Sequence, residues 1–395
     1  MKLQIKKMTK IDKKQTALAL ERVEKAINDI KNNDFTLYFF VVDSKNVPNG
    51  SISYIYQLAK TLNVKGYNVK MLYQLENEYT EAELYKLKKK DEPIDSNRMF
   101  VGVKEWLGNE YADLPHMNIS LEEWTVSPSD ILFIPEVFSS LMFETYKHKI
   151  PCKRYVILQN YDYVTEFIPL GAEWKHYGIY DVICTSDKQK QKILNVFPYL
   201  NTHILPPHID DIFRKPIKPK KLIVNVITKD QKDINRIIKP FYWKYPMYKF
   251  ISFRDLRNFP KENYAEFLKE GIITIWVDNT TPFGYSALEA MRCNDIVIGK
   301  IPETVPEWME DEEGIINNGL WVYDINDIPD VLAKAIGSWM RSELPKELTT
   351  EMEKTNQRYT SEKWNKNVEN IFKTIIDDNI NNFEEVKKAI KKNNQ

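Results

Sequence analysis

Apolar positions along this chain alternate between two rhythms. Residues 36–42 form a short apolar run of strand length. Ile52, Ile55, Leu58, Ala59 and Leu62 then recur at helical spacing, Gly66 ends the stripe, and Asn68–Tyr73 reads as the next strand. Strand, loop, helix and strand in that order make the unit from which parallel sheets are built. Residues 76–98 are polar and charged and read as helix or loop, while 131–135, 155–159 and 181–185 read as further strands, with an aromatic, irregular stretch over 160–180. At 204–219 the texture changes. Pro206, Pro207, Pro216 and Pro219 interrupt any regular element there, so the spacing predicts a domain boundary. Beyond it the alternation restarts, with strands over 222–227, 248–253, 272–277, 295–298 and 321–323. Helices are predicted over 264–269, 284–293 and 328–340. Near the end, Trp364, Val368, Ile371, Phe372, Ile375 and Ile376 lie at helical spacing. The expected organisation is an extension over 1–34, an α/β domain over 35–205, a second over 206–355, and C-terminal helices over 356–395 that pack back toward the first domain.

Composition narrows the function classes. The 395 residues carry 56 basic and 56 acidic side chains, a formal net charge of zero, which argues against a dedicated nucleic-acid binder. Hydrophobic residues make up 43%, enough for ordinary cores. Cys152, Cys184 and Cys293 are scattered and fit a reducing, cytoplasmic setting better than a disulfide frame. The longest apolar strings, 37–42 and 272–277, are strand-sized and too short to span a bilayer. Residues 1–33 hold nine basic and four acidic side chains, with Leu20, Val23, Ala26, Ile27 and Ile30 at helical spacing. Two readings stand for this helix: packing on the first domain with a solvated lysine face, or peripheral contact with a membrane. The stripe lacks the Trp and Phe of interfacial helices, which favours the first.

The segment richest in chemistry is 278–299, DNTTPFGYSALEAMRCNDIVIG. A strand ends at Val277, a loop with Pro282 and Gly284 follows, and a helix then carries Glu289 among apolar neighbours. Loops at the carboxyl ends of parallel strands are where α/β folds bind ligands. Amides around 283–286 would open the helix and suit a phosphate or sugar oxygen. Glu289 needs a partner if buried, either a ribose diol or a local Lys or Arg.

This segment resembles the donor-site signature of retaining GT-B glycosyltransferases of family 4. Pro282-Phe283-Gly284 and Leu288-Glu289-Ala290-Met291 carry the resemblance. The family's two glutamates stand at Thr281 and Glu289, so the first is replaced by a hydroxyl. Residues 204–216 resemble the inter-domain linker, 47–62 the first loop and helix, and 302–308 the segment after the signature. The resemblance implies an α/β GT-B fold, two Rossmann-like domains facing a cleft. It implies retaining, metal-independent transfer from a nucleotide-sugar to a glycan or lipid-linked saccharide, with no cofactor beyond that nucleotide-sugar substrate. Donor binding falls by resemblance on Glu289, Thr281, Phe283, Gly284, Tyr285 and Ser286, with Arg254 in reserve. Lys229 and Lys232 stand where the family keeps a basic pair for the leaving diphosphate, although its Gly-Arg is absent. Gly50 and Ser51 would present amides to the same phosphates, and Asp162 stands near the family's cleft histidine. His176 and His208 read as structural or exposed. No GxSxG, HExxH, Walker loop or GxGxxG occurs. Two rivals share the fold: a glycosyltransferase-like binding subunit without activity, and a sugar-nucleotide epimerase or phosphorylase.

Overall fold

The computed structural model describes residues 2–42, 44, 47–73, 90, 103–119, 123–311 and 313–392. The reading of 76–98 as helix or loop lies outside the described residues, apart from Lys90. Two parallel sheets organise the chain. The first holds β1 (Thr36–Val41), β2 (Asn68–Tyr73), β3 (His116–Asn118), β4 (Ile131–Pro135), β5 (Lys153–Leu158), β6 (Asp181–Cys184) and β7 (Asn201–Ile204). Their spatial order is β3-β2-β1-β4-β5-β6-β7. The second sheet contains β8 (Lys221–Thr228), β9 (Ser252–Asp255), β10 (Gly271–Val277), β11 (Ile296–Lys300) and β12 (Leu320–Val322), ordered β12-β11-β10-β8-β9. The chain leaves the first sheet at Ile204 and enters the second at Lys221, so the proline-rich stretch joins two separate sheets.

The central strands are apolar on both faces because helices cover both. β10 is buried along its whole length, and so is β4. In the first domain one face packs against the helix Gly50–Val64 through Ile55, Leu58 and Leu62, and against Trp364, Val368 and Phe372 of the C-terminal helix Ser361–Lys392. That helix starts from the second domain and returns to the first. Trp364 donates its indole N–H to Thr61 at 2.8 Å, and Lys65 pairs with Glu369 at 2.8 Å. The N-terminal helix Lys2–Lys31 packs on it in turn, burying Ala26, Ile27 and Ile30, with Lys387 paired to Glu24 at 3.1 Å. No helix among the described residues is long and apolar enough to cross a membrane.

Two differences from the sequence pattern have local causes. Pro246 opens a turn of 3-10 helix over Pro246–Tyr248, so β9 begins only at Ser252 rather than at 248. Asn160 caps a helix over Tyr161–Phe167, giving structure to part of the stretch read as irregular.

In each sheet the winding reverses once, between β1 and β4 in the first and between β8 and β10 in the second. Such reversals leave a crevice at the carboxyl ends of the strands. The two crevices face each other. Lys188 holds the halves together, with its Nζ at 3.2 Å from the Val305 carbonyl and 2.5 Å from Glu310, and its backbone N–H on Glu307. Across the opening, the Lys261 N–H reaches the Trp106 carbonyl at 3.4 Å.

Candidate active site

Between the domains lies a cavity of about 670 Å³. Thr228 and Lys229 reach it from the end of β8, and Val277 and Asp278 from the end of β10. Residues 48–53 and the Gln159–Asn160 turn close it from the first domain. The structure brings Gly50, Ser51, Lys229, Thr281, Phe283, Gly284, Tyr285, Ser286 and Glu289 to this one space.

The helix Tyr285–Arg292 begins at the cavity without a side-chain cap. Its first amides and the positive end of its dipole are therefore suited to an anion. Gly284 makes the entry possible. Its φ is +70°, and a Cβ there would lie 2.7 Å from the Trp276 ring. Trp308 holds the preceding turn by donating to the Phe283 carbonyl. Gly284→Ala is expected to cost on the order of 1–3 kcal/mol of stability, measured by urea unfolding. An unchanged midpoint would mean that this turn is not constrained.

The opposite helix start differs. Asn49 caps the Gly50–Val64 helix, accepting from the Ser51 amide at 2.9 Å and the Ile52 amide at 3.1 Å. The Ser51 amide expected to serve a phosphate is thus already engaged by the cap. Gly50 contributes space instead, since a Cβ there would come within 3.2 Å of the Tyr285 ring.

Lys229 places its ammonium 3.0 Å from Asp278 and 3.1 Å from the Thr281 hydroxyl, which itself donates to Asp278. Lys261 pairs with Asp210 at 2.5 Å, and Arg257 is held by Asp255 and Gln231. These three cations line the same cavity. Glu289 is half-buried at its deep end. Burial pushes its pKa up to about 7, against the opposing pull of Lys261 and the Tyr264 hydroxyl. The buried hydroxyl of Tyr285 and the Nδ1 of His208 have no hydrogen-bond partner. His208 packs on Trp364 at 5.0 Å between ring centres, and burial lowers its pKa to about 4, leaving it neutral.

Three expected residues lie elsewhere. Arg254 sits within β9 rather than beyond its end. It pairs with Glu270 at 2.7 Å and stacks over Phe267 at 4.5 Å, outside the cavity. Lys232 is exposed in the first turn of the helix Gln231–Lys244, whose cap Asp230 takes its N–H, and it does not line the cavity. Asp162 is exposed at the rim, its carboxylate 3.4 Å from the Thr304 hydroxyl, while its neighbours Asn160 and Tyr163 line the space.

Sequence reasoning missed Arg257, Lys261, Tyr264, Gln57 and Trp106, and gave His208 no role in the cleft. Only Arg257 carried a local signal, since it follows the end of β9. Glu136, also missed, sits just after β4 and accepts the amides of Gln159 and Asn160 at 3.2 and 2.7 Å. Burial raises its pKa to about 7. It braces the turn that closes the cavity from the first domain.

No family model matches the sequence, and no curated protein matches it. Solved structures match nearly the whole chain. The pneumococcal O-GlcNAc transferase GtfA, in complex with UDP and GlcNAc, is similar at 9% identity and TM-score 0.56, covering 88% of this chain and 99% of that one. A variant of S. aureus TarM, in complex with fondaparinux, alpha-GlcNAc-glycerol and UDP, is similar at 11% identity and TM-score 0.56, over 86% and 99% of the two chains. Sucrose-phosphate synthase from Thermosynechococcus elongatus is similar at 13% identity and TM-score 0.55, over 86% and 99%. With two doubly wound domains, a cleft at both reversals and this agreement along the chain, the protein has the GT-B fold.

Proposed function

We propose that this chain is a retaining glycosyltransferase that moves a sugar from a nucleoside diphosphate, held by the second domain, to a hydroxyl held by the first. The observation that carries the reading is the cavity itself. An uncapped helix start, three cations and a deep carboxylate beside the Tyr264 hydroxyl converge at the switch point of the second sheet. The helix start and Lys229 suit the diphosphate, and Glu289 suits the ribose hydroxyls. GtfA and the TarM variant, of the same fold, were solved with UDP.

In the reaction, the bond between the anomeric carbon and the diphosphate oxygen breaks, and its electron pair stays on the phosphate. The acceptor oxygen bonds to the same face of that carbon, and its proton passes to the leaving diphosphate. Negative charge builds on the leaving oxygen, where fixed donors act most strongly. The chemistry assigned to these residues requires no metal. Synthesis of a surface glycan, on the cytoplasmic side, is the role that suits such an enzyme.

A second reading draws on Thr281. Without a carboxylate at this position, and with its hydroxyl bound to Asp278, the chain would bind a nucleotide-sugar without turning it over. Calorimetry with UDP, followed by assay of UDP release from UDP-glucose and UDP-N-acetylglucosamine, separates the two. Binding with turnover supports the transferase, and binding without turnover supports the inactive subunit. No binding of any nucleoside diphosphate overturns both.

A further inference from the structure

The charge in the cleft is confined to one side. Among the described residues, its charged lining side chains are Asp210, Lys229, Arg257, Lys261, Asp278 and Glu289, all beyond the first domain. The described residues of the first-domain wall include none. It is built from Ser53, Gln57, Trp106, Leu107, Gln159 and Asn160, with neighbouring uncharged residues. Lys261 reaches the Trp106 end of this wall but is already paired with Asp210. An anionic group brought against Ser53 and Gln57 would lose its hydration and meet no counter-charge among the wall's own described residues.

Two residues give the wall its own chemistry. Gln57 is 6% exposed, and its Oε1 is buried without a partner, while its Nε2 makes one long bond of 3.4 Å to Ser53. A buried amide that lines a cavity with its oxygen unpartnered matches a hydroxyl, which both donates and accepts. Trp106 is 7% exposed. Its indole N–H is tied to Ser44 at 3.0 Å, which fixes the ring's orientation at the cavity. An indole surface beside polar groups suits a ring with an apolar face and hydroxyls at its edge.

We infer that the acceptor is uncharged where it meets the cleft: a neutral sugar ring packed on Trp106, with a hydroxyl bonded to Gln57. The inference rests on the donor site proposed above, and it adds the charge class of the acceptor and the residues that read it.

Saturation-transfer NMR on the UDP-loaded protein tests it. The neutral probes are methyl α-D-glucopyranoside and N-acetylglucosamine, and the anionic ones are glucose 6-phosphate and glucuronate. The neutral probes should bind, and the anionic ones at least tenfold more weakly. Gln57→Leu removes the hydrogen bond at similar volume and should weaken neutral binding about tenfold, leaving UDP affinity within twofold. The inference is overturned if the anionic probes bind as well as the neutral ones, if neither neutral probe binds, or if Gln57→Leu leaves neutral binding unchanged. Neutral sugars binding to a protein that does not take UDP would instead overturn the donor site and leave this inference standing.

Discussion

Lys229→Ala should lower the rate of glycosyl transfer by about 10²–10³-fold, with a smaller loss in nucleotide affinity. Lys229 stands at the carboxyl end of β8, where the second sheet reverses, and its exposed side chain places the ammonium 3.0 Å from Asp278 and 3.1 Å from Thr281. A cation oriented by a neighbouring carboxylate at the mouth of the site needs less reorganisation than a free one when charge develops on the leaving phosphate. The gain is therefore larger in the transition state than in the ground state. Both lysines are exposed, but Lys232 lies outside the cavity and provides the control, so Lys232→Ala should change the rate less than twofold. Steady-state kinetics with UDP-glucose and a neutral acceptor measure both. Equal losses in the two variants, or normal turnover by Lys229→Ala, would remove Lys229 from the mechanism.

For Glu289→Gln the expected changes in binding and stability have opposite signs. Burial holds the Glu289 carboxyl at about 7, above its ordinary value near 4.5. Between those values the folded protein binds a proton that the unfolded chain does not. Stability from this group is therefore fully present at low pH, falls as pH rises toward 7, and stays reduced above it. Glutamine never ionises, so at pH 8 the variant should be more stable than the wild type by on the order of 2 kcal/mol. The difference should close near pH 4.5. Nucleotide binding should move the other way. A charged acceptor is worth about 1.5–3 kcal/mol per hydrogen bond, so losing it should weaken UDP binding tenfold or more. Urea unfolding at several pH values and calorimetry with UDP read the two effects separately. Unchanged UDP affinity would make Glu289 a structural carboxylate.

The same residue shows what was legible in the sequence. Glu289 interrupts an apolar helix immediately after a strand, so its position near a ligand follows from local spacing. Gly284, Phe283 and Thr281 lie on the same short segment, and one strand–loop–helix unit carries them all to the cleft. Arg254 shows the limit of that reasoning. Its nearness to the end of a strand suggested the cleft, yet it lies inside β9 and packs on Phe267. Arg257, three residues on, clears the strand and reaches the cavity. Ser51 is similar, because its amide was available by position but Asn49 takes it.

The sequence by itself determined the alternation of buried strands with amphipathic helices, the break at the prolines, and the placement of the segment 281–289 beside the cleft. These follow from periodicity and local backbone preference, which act over a few residues. Tertiary structure alone decided which distant residues complete the site. Gln57, Trp106, His208 and Lys261 come from four places along the chain and meet only because both sheets reverse their winding opposite one another. Their burial, their unpartnered atoms and the uncharged wall facing the cations are properties of that meeting, since desolvation and proximity depend on the packing of both domains.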